Sequence, residues 1–406
     1  MQLGGCLGAA EDIKTADLPL IRRIKVNHEQ AALPASDVPA QGPWQVCTPG
    51  VAGQFTAVGF YFAREIHQKT GVPIGILDVN WGGTKIEPWT PAEGLELVEE
   101  FKPLHAAKME SIKAYRAELP GALDQLERWI ATTRADLSAG ADISAPPTIP
   151  APKDVSWSGM YNRMVHPWIK MPIKGALWYQ GESNGAEGET YYKKMSALIG
   201  GWRKQWSQGD FPFYFVQLAS YQAAKEDPAG GDGWANLREA QRKTLGLPNT
   251  GMAVIIDTVP LEQAGNIHPV NKADVGLRLA RWALNRDYGQ KDVVPSGPLF
   301  KELKISGNKA VVTFDHAGTG LMIGKKEGRA PAVADEGGKL KRFAVAGADK
   351  KWFWADAVIE NNTVVLSSPQ VPAPVAVRYA FAMNPAGANL YNREGLPASP
   401  FRTDDW

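Results

Sequence analysis

The chain has 406 residues, of which 44% are hydrophobic and 21% are charged, and its 44 basic and 43 acidic side chains give a net charge of +1. A single hydrophobic core stops growing near ~250–300 residues, so this length predicts two domains. The even charge balance argues against a nucleic acid or an anionic membrane as a partner, because both require a strongly basic surface. A small neutral or modestly charged substrate fits this composition better.

The sequence carries no sign of a membrane segment or an export signal. No apolar run approaches the ~20 residues that a membrane span requires. The first fourteen residues, Met1–Lys14, lack the basic and apolar regions of a secretory signal peptide. Cys6 and Cys47 are the only cysteines, and they fit no metal-site spacing. We interpret them as two unpaired thiols, with one disulfide as the alternative.

Short apolar segments alternate with amphipathic ones over the first 290 residues. Segments rich in β-branched residues and bounded by turn residues predict buried parallel strands. They are 18–26, 72–80, 173–179, 211–218 and 251–257. Helical periodicity appears between and after them, in Thr56–Lys69, 191–206 and 272–286. This alternation predicts an α/β doubly wound fold, a three-layer sandwich around a mainly parallel sheet.

Two regions do not follow this alternation of strands and helices. Residues 92–155 predict a helical-hairpin insertion that turns at Pro120-Gly121 and ends in a proline-rich linker at 144–152. The insertion either overhangs a functional site or is a surface hairpin without a role at such a site. After Pro295 the helical period disappears, and alternating runs begin with two strands around a Gly-Asn turn. We therefore predict a first domain over 1–292 and a β-sandwich over 296–406.

Polar residues follow two of the predicted strands, at the end of a doubly wound sheet where ligands bind. Gln180-Gly-Glu-Ser-Asn184 follows the strand at 173–179, and Asn80-Trp-Gly-Gly-Thr84 follows the strand at 72–80. Paired glycines allow backbone N–H groups to approach a ligand closely, as an oxyanion hole requires. Taken singly, each segment is also consistent with an ordinary polar loop or a tight turn.

A third polar segment, Gly265-Asn-Ile-His-Pro269, comes just before the helix that begins near Asn271. A histidine in such a loop is well placed to act as a general base toward a nucleophile. His166 is a distant second candidate, and the other histidines have no supporting pattern. No spacing of His, Cys, Asp or Glu resembles a zinc site, so we predict neither a metal nor a cofactor.

In order and spacing, these three segments resemble the sialate O-acetylesterase family of SGNH (GDSL-type) hydrolases. The resemblance implies a flavodoxin-like SGNH-hydrolase fold and removal of acetyl groups from sugar hydroxyls by a Ser–His mechanism. It implies that His268 is the general base and that Glu182 can serve as the acid that orients it. The residues implied for the oxyanion hole and the substrate site are Gly82, Gly83, Gln180, Asn184, Trp81 and Asn266.

Two departures from the family pattern bear on activity. Many relatives have Asp where this chain has Asn266, and a neutral amide cannot stabilise an imidazolium as an anion does. The family's serine lies in a Gly-Gln-Ser-Asn-Met motif, and Met1 aligns with the methionine of that motif. We therefore expect the nucleophile two residues upstream of Met1, a sheet without its first strand, and negligible turnover by the present residues. Ser183 is a weaker candidate for the nucleophile.

The resulting hypothesis is an N-terminally truncated carboxylic ester hydrolase that acts on acetylated glycans, with 9-O-acetyl sialic acid as the expected substrate. One alternative is an esterase for acetylxylan or another polysaccharide. The other is a non-catalytic carbohydrate-binding protein, in which aromatic side chains such as Trp89, Trp178 and Tyr179 would stack on sugar faces. Because relatives are commonly exported, the resemblance implies a periplasmic or extracellular location for the full-length parent protein.

Overall fold

The computed structural model describes residues 1–406 and contains an N-terminal α/β region and a C-terminal all-β region. The helices of the α/β region are α1 (Ala9–Lys14), α2 (Pro49–Ala52), α3 (Ala57–Thr70), α4 (Ala92–Leu95), α5 (Lys102–Ala139), α6 (Glu189–Trp206), α7 (Gly233–Thr244) and α8 (Lys272–Arg286). Its strands are β1 (Leu18–Lys25), β2 (Gln45–Cys47), β3 (Ile74–Asp78), β4 (Ala176–Trp178), β5 (Phe213–Val216) and β6 (Thr250–Ala253). The predicted strands and amphipathic helices are therefore confirmed, although the strands are shorter than predicted and β3 and β4 are only partly buried.

The C-terminal region consists of strands. They are β7 (Leu299–Ser306), β8 (Lys309–Asp315), β9 (Leu321–Lys325), β10 (Val333–Ala334), β11 (Phe343–Ala346), β12 (Trp352–Trp354), β13 (Asp356–Glu360), β14 (Thr363–Ser367), β15 (Ala376–Tyr379), β16 (Leu390–Asn392) and β17 (Phe401–Arg402). These strands form sheets of order β10-β9-β16, β12-β11-β15-β17 and β13-β14-β8-β7. The first two strands form the predicted hairpin, in which Gly307 takes a φ of +60°. The change to all-β structure after Pro295 is confirmed.

The six strands of the α/β region form two sheets rather than the single sheet that the sequence predicts. One sheet has the order β2-β1-β3, with β1 and β3 parallel and β2 antiparallel. The other is the fully parallel sheet β4-β5-β6. Strands β3 and β4 are therefore edge strands, each with a hydrogen-bonded neighbour on one side only.

Helices cover both faces of the second sheet. In β5, Tyr214 and Val216 lie in a buried cluster with Ile66 of α3 and with apolar residues of α8. Phe213 and Phe215 point to the opposite face and belong to a larger cluster that includes residues of α6 and α7. Successive side chains of a strand alternate between its two faces. The β4-β5-β6 sheet is therefore the middle layer between two pairs of helices.

Helices α3 and α8 approach each other closely at Gly276 of α8. A Cβ atom at this position would lie 2.6 Å from the Cβ of Tyr61 and 2.8 Å from the carbonyl oxygen of Val58. Any larger residue would push the two helices apart, so the contact requires glycine. Because α8 begins at Lys272, this contact also fixes the position of the loop that leads into the helix.

The insertion at 92–155 is one long helix with an extended return segment, so the predicted helical hairpin is wrong. Helix α5 has 38 residues and runs through Pro120 without a break. The return segment follows it, since Trp129 Nε1 donates to Ser144 O at 2.9 Å and Lys108 Nζ donates to Trp157 O at 3.0 Å. Pro120 removes one backbone hydrogen bond, which an exposed helix can tolerate. No helix in the structure is both long and apolar enough to cross a membrane.

The α/β region and the all-β region share one hydrophobic core. Leu237 of α7 and Phe401 of β17 belong to the same cluster of buried side chains. The fully buried guanidinium of Arg238 donates to the carbonyl oxygens of Ala382 and Met383, at 2.7 and 3.0 Å. The C-terminal region therefore packs directly against α7, the helix that follows β5.

Both cysteines are free thiols, which confirms their interpretation from the sequence. Cys47 is buried, and burial raises the pKa of its thiol to about 11. Cys6 is half-buried, and its Sγ donates to the carbonyl oxygen of Gln2 at 3.4 Å. Neither thiol has the lowered pKa that marks a reactive cysteine.

Candidate active site

Two of the predicted loops lie against each other at the carboxyl ends of β3 and β4. Gln180 Nε2 donates to Thr84 O at 3.1 Å, and Ser183 Oγ donates to Gly83 O at 3.0 Å. The first residue of each pair belongs to the loop after β4 and the second to the loop after β3. The carboxyl ends of the two edge strands therefore meet at one crevice, as expected for a doubly wound layer.

The third loop joins this crevice through the first residue of α8. Lys272 Nζ donates to the hydroxyl of Tyr179 at 3.2 Å and lies 4.5 Å from the centre of its ring. The loop with His268 comes four residues earlier, and the Lys272 ammonium affects the pKa of that histidine. The structure thus brings together all three segments that the sequence singles out.

Gly82 and Gly83 present unused backbone donors at this crevice. Both residues are exposed, and a Cβ atom at either position would have no neighbour within 4 Å. Gly83 has a φ of +76°, a left-handed conformation that favours glycine. Neither backbone N–H donates to another protein atom. Such free, fixed donors are what an oxyanion hole needs.

The side chain of Gln180 is buried and connects three parts of the crevice wall. Besides Thr84 O, its Nε2 donates to Asn184 Oδ1 at 2.8 Å, and its Oε1 accepts from the hydroxyl of Tyr191 at 2.9 Å. Both amide hydrogens are therefore bound to protein acceptors. To serve as an oxyanion donor, Gln180 would have to break one of these bonds, whereas its present contacts hold the glycine loop in place.

Asn184 is the most heavily bonded residue of the crevice. It is 1% exposed, and its Oδ1 accepts from Ile86 N at 3.1 Å as well as from Gln180. Its Nδ2 donates to Glu87 Oε2 at 3.1 Å and to Glu187 Oε1 at 3.0 Å. Lys194 then binds both carboxylates, at 2.7 and 2.5 Å. Asn184 therefore anchors the loop after β4 to the chain that follows β3.

Glu182 is a partly buried carboxyl group close to Lys272. Burial raises the pKa of Glu182, and the nearby ammonium opposes this effect. Burial lowers the pKa of Lys272 to about 8, and Glu182 opposes that shift. The two groups are therefore partly desolvated and of opposite charge, and each opposes the effect of burial on the pKa of the other. Glu182 is not among the charges that affect His268.

His268 lies at the surface of the crevice, and its ring makes no hydrogen bond within the protein. Asn266 Oδ1 accepts the backbone N–H of His268 at 2.9 Å, so this amide shapes the loop and leaves the ring free. Loss of hydration, the ammonium of Lys272 and the α-amine of Met1 all lower the pKa of His268. The imidazole is therefore held neutral, the form that a general base requires.

The α-amine of Met1 lies within this cluster of charges. Burial and the Lys272 ammonium lower its pKa, whereas Cys6 and the Asp78 carboxylate raise it. Asp78 is the last residue of β3, so the amine is close both to the carboxyl end of that strand and to the start of α8.

Several residues that lie in the crevice are not predicted by any sequence pattern given above. Lys272 directly follows Asn271, the N-cap of α8, whose side chain accepts a hydrogen bond from Asp274 N. A lysine at the start of a helix is unfavourable to the helix dipole, so its position is a signal in the sequence for a role other than helix formation. His28 stacks on Trp81 with ring centres 4.8 Å apart and planes 12° from parallel. No sequence pattern connects this pair. His166, the second candidate base, instead contacts Ala35 O through Nδ1.

The chain is similar in sequence and structure to known carbohydrate esterases. A family model described as a carbohydrate esterase, sialic acid-specific acetylesterase, matches residues 151–285. The chain is 28% identical to the sialate O-acetylesterase of Rattus norvegicus over 95% of this chain and 72% of that protein. It is 29% identical to the Mus musculus sialate O-acetylesterase over 86% of this chain and 64% of the mouse protein. The crystal structure of a carbohydrate acetylesterase from Xanthomonas citri matches it with a TM-score of 0.77 and 35% identity, covering 100% of this chain and 78% of that chain.

The similarity to the Xanthomonas citri structure extends over the whole chain, and it decides the family. The chain belongs to the sialic acid-specific acetylesterase family of carbohydrate esterases. The family resemblance predicted from the sequence is thereby confirmed. The segment that matches the family model contains the Gln180–Asn184 loop and His268, whereas Gly82 and Gly83 lie outside it.

Proposed function

We propose that this carbohydrate esterase hydrolyses O-acetyl esters on sugar hydroxyls through a serine acyl-enzyme. The observation that carries the proposal is the pairing of two unused functions in one crevice. His268 is a neutral imidazole without a protein partner, and the backbone N–H groups of Gly82 and Gly83 are free. A base and an oxyanion hole are the two requirements of acyl transfer apart from the nucleophile.

In the proposed reaction, the serine hydroxyl attacks the acetyl carbonyl carbon while His268 takes the hydroxyl proton. The negative charge that develops on the carbonyl oxygen is stabilised by the N–H groups of Gly82 and Gly83. Collapse of this intermediate breaks the ester bond, and His268 returns the proton to the departing sugar alkoxide. Water, deprotonated by His268, then attacks the carbonyl carbon of the acetyl-serine. The bond to the serine oxygen breaks, His268 returns the proton to that oxygen, and acetate is released.

We further propose that the serine lies two residues before Met1, on a strand that pairs with both β3 and β4. Three observations support this placement. Both strands are edges, Leu177 of β4 is 36% exposed, and the Met1 amine lies beside Asp78 and Lys272. A parallel strand between the two edges would join the two sheets into one. The result would be the three-layer SGNH fold that the sequence predicts.

Gln180, Asn184 and Glu182 have supporting roles in this proposal. Gln180 and Asn184 hold the glycine loop against the loop after β4. Glu182 lies in the same crevice and compensates the charge of Lys272. Asn266 shapes the backbone at His268 and supplies no negative charge to the ring. The histidine is therefore expected to be a weaker base than one with a carboxylate partner.

For the substrate we propose an acetylated glycan, with 9-O-acetyl sialic acid as the first candidate and acetylxylan as the second. The names of the rat and mouse relatives support the first, and the carbohydrate acetylesterase of Xanthomonas citri supports a wider range of sugars. The His28–Trp81 stack beside the glycine loop offers an aromatic edge to a sugar ring. We place the parent protein in the periplasm or outside the cell, where such glycans are found.

The experiment that tests this proposal adds to the chain at Met1 the in-frame upstream residues, which the proposal requires to contain a Gly-Gln-Ser-Asn motif. We expect the extended chain to release acetate from an aryl acetate, its Ser→Ala variant to be inactive, and residues 1–406 alone to show negligible turnover. A panel of 9-O-acetyl sialic acid and acetylated xylo-oligosaccharides then ranks the substrates. Saturable sugar binding without acetate release by the extended chain would favour a non-catalytic binding protein instead.

A further inference from the structure

We propose that Trp352, Trp354 and Trp406 form a second carbohydrate-binding surface, which binds a neutral stretch of polysaccharide remote from the acetyl group. These three residues, called here the tryptophan surface, lie in the C-terminal all-β region. Trp354 and Trp406 are each 39% exposed, and Trp352 is partly exposed. The esterase proposal uses none of them.

The tryptophan surface lies at the edge of the sheet β12-β11-β15-β17, where β12 is the outermost strand. On the same face, Ala344 and Arg378 next to Trp354 are buried. Trp352 and Trp354 are two residues apart on the edge strand β12, so both side chains project from the same face. Phe353 between them points to the opposite face and packs against the core. The ring of Trp406 lies 6.5 Å from that of Trp352 and is tilted by 32° from it. The three indoles therefore form one continuous patch on the surface.

Each indole is held in position by a cation. The guanidinium of Arg378 lies 4.2 Å from the ring centre of Trp352, that of Arg342 lies 5.6 Å from Trp354, and Lys350 Nζ lies 4.9 Å from Trp406. Such contacts restrict the rings before any ligand arrives, and a rigid surface loses little conformational entropy on binding. Exposed tryptophans that are fixed in this way are typical of binding surfaces.

The charges around the tryptophan surface indicate a neutral ligand. Arg378 and Arg402 both bind the fully buried carboxylate of Asp404 at 2.5 Å, and Arg342 binds Glu226 at 2.6 Å. These guanidiniums are therefore already compensated, so an anionic ligand would gain little from them. The surface instead offers apolar rings bordered by hydrogen-bonding groups. Sugar rings match it, because they combine apolar C–H faces with hydroxyl groups.

A chain segment connects the tryptophan surface to the end of β5, next to the esterase crevice. Residues 221–231 follow that strand, and Tyr221 N donates to Met383 O at 3.2 Å. Gly231 N donates to Phe381 O at 3.0 Å, beside Arg378. Glu226 in the middle of the segment binds Arg342 of the surface. One polysaccharide could therefore contact the tryptophan surface while its acetylated unit occupies the crevice. This simultaneous contact rests on the proposed esterase function, whereas polysaccharide binding to the tryptophan surface does not.

The test uses residues 1–406 in native gels that contain deacetylated xylan, glucomannan or β-glucan, with polysialic acid as the anionic comparison. We expect at least one neutral polysaccharide to retard the protein. The double variant Trp354→Ala/Trp406→Ala should bind it at least tenfold more weakly. The matched control is Trp44→Ala, which removes a similarly exposed tryptophan, 37% exposed, from the α/β region. Near-ultraviolet circular dichroism and the Tm check that each variant is folded.

Three results would overturn the proposal: no retardation by any neutral polysaccharide, equal retardation of the folded double variant, or retardation by polysialic acid alone. The esterase proposal is tested separately, because the double variant in the extended chain should cleave a small aryl acetate at an unchanged rate. Loss of polysaccharide binding with intact aryl esterase activity would support both proposals. Binding without any esterase activity would support this proposal and contradict the other.

Discussion

The loop after β4 and the loop before α8 both carry polar residues in the crevice, but their bonding differs. In the first loop, Gln180 and Asn184 are buried and bind protein groups with all the donors of their amides. In the second loop, His268 is exposed and its ring binds nothing. The first loop therefore acts as a scaffold, whereas the second offers a free reactive group.

The two loops also differ in charge. Around Asn184, two carboxylates and the ammonium of Lys194 form a compact network. Burial alone would raise the pKa of Glu87, but the hydrogen bonds from Lys194 and Asn184 outweigh it and leave this pKa lowered. Around His268, the only charges that affect the ring are positive. The first environment stabilises ionised groups, and the second keeps an imidazole neutral. This contrast predicts opposite responses to mutation, in stability for one loop and in activity for the other.

The largest effect is expected from His268→Ala in the extended chain. We expect kcat to fall by about 10³-fold or more, because the variant loses the group that deprotonates the serine, while the free energy of unfolding changes by less than about 0.5 kcal/mol. Aryl acetate hydrolysis and urea denaturation measure the two quantities. A large loss of stability, or retained activity, would show that His268 belongs to the scaffold instead.

Asn184→Ala is expected to destabilise residues 1–406 by about 2–4 kcal/mol, since it leaves several buried donors and acceptors without partners. Urea denaturation measures the change. The matched control is Ser183→Ala at the neighbouring position, which removes one exposed hydrogen bond to Gly83 O and should cost less than about 1 kcal/mol. Similar costs for the two variants would remove the distinction between scaffold and surface within this loop.

Asn266→Asp gives the histidine loop the negative charge that it lacks. In the extended chain we expect about a tenfold increase in kcat/KM near neutral pH, because a carboxylate stabilises the imidazolium that forms during the reaction. Activity falls as His268 becomes protonated, that is, as the pH drops through its lowered pKa. The variant should move this fall toward higher pH. An unchanged pH profile would mean that the new carboxylate does not reach the ring.

The smallest effect is expected from Lys272→Met in residues 1–406. A neighbouring ammonium disfavours protonation of His268, so its removal should raise the pKa of the histidine. Lys272 has a pKa of about 8 and is charged over the range in which His268 titrates. Titration of the imidazole by NMR measures the shift, with the exposed and distant Lys69→Met as the control. Equal values in both variants would contradict the assigned proximity.

Much of the crevice could be predicted from the sequence, because loops at the carboxyl ends of parallel strands meet at one edge of the layer. The sequence predicts in this way that the Gly82-Gly83 turn and the loop with His268 lie at this edge. The roles of Gln180 and Asn184 could not be derived, since their partners Tyr191, Ile86 and Glu87 lie in other segments. Hydrogen-bond satisfaction depends on tertiary structure, and residue type alone does not reveal it.

Two features of the fold also lay beyond the sequence patterns. The apolar residues on both sides of Pro120 were assigned to two packed helices, but they belong to one helix whose partner is an extended segment. The alternation of strands and helices predicted one sheet, because strand order cannot be derived from periodicity. Only the strand order in the structure shows that β3 and β4 are edge strands.

Covalent labelling of the extended chain with a fluorophosphonate, followed by peptide mass spectrometry, tests the central claim most directly. The account predicts a single phosphonylated serine two residues before Met1, and loss of the label in His268→Ala, because the base activates that hydroxyl. The exposed Ser183, whose hydroxyl donates to Gly83 O, should remain unmodified. Labelling at Ser183, or labelling that does not depend on His268, would contradict the account.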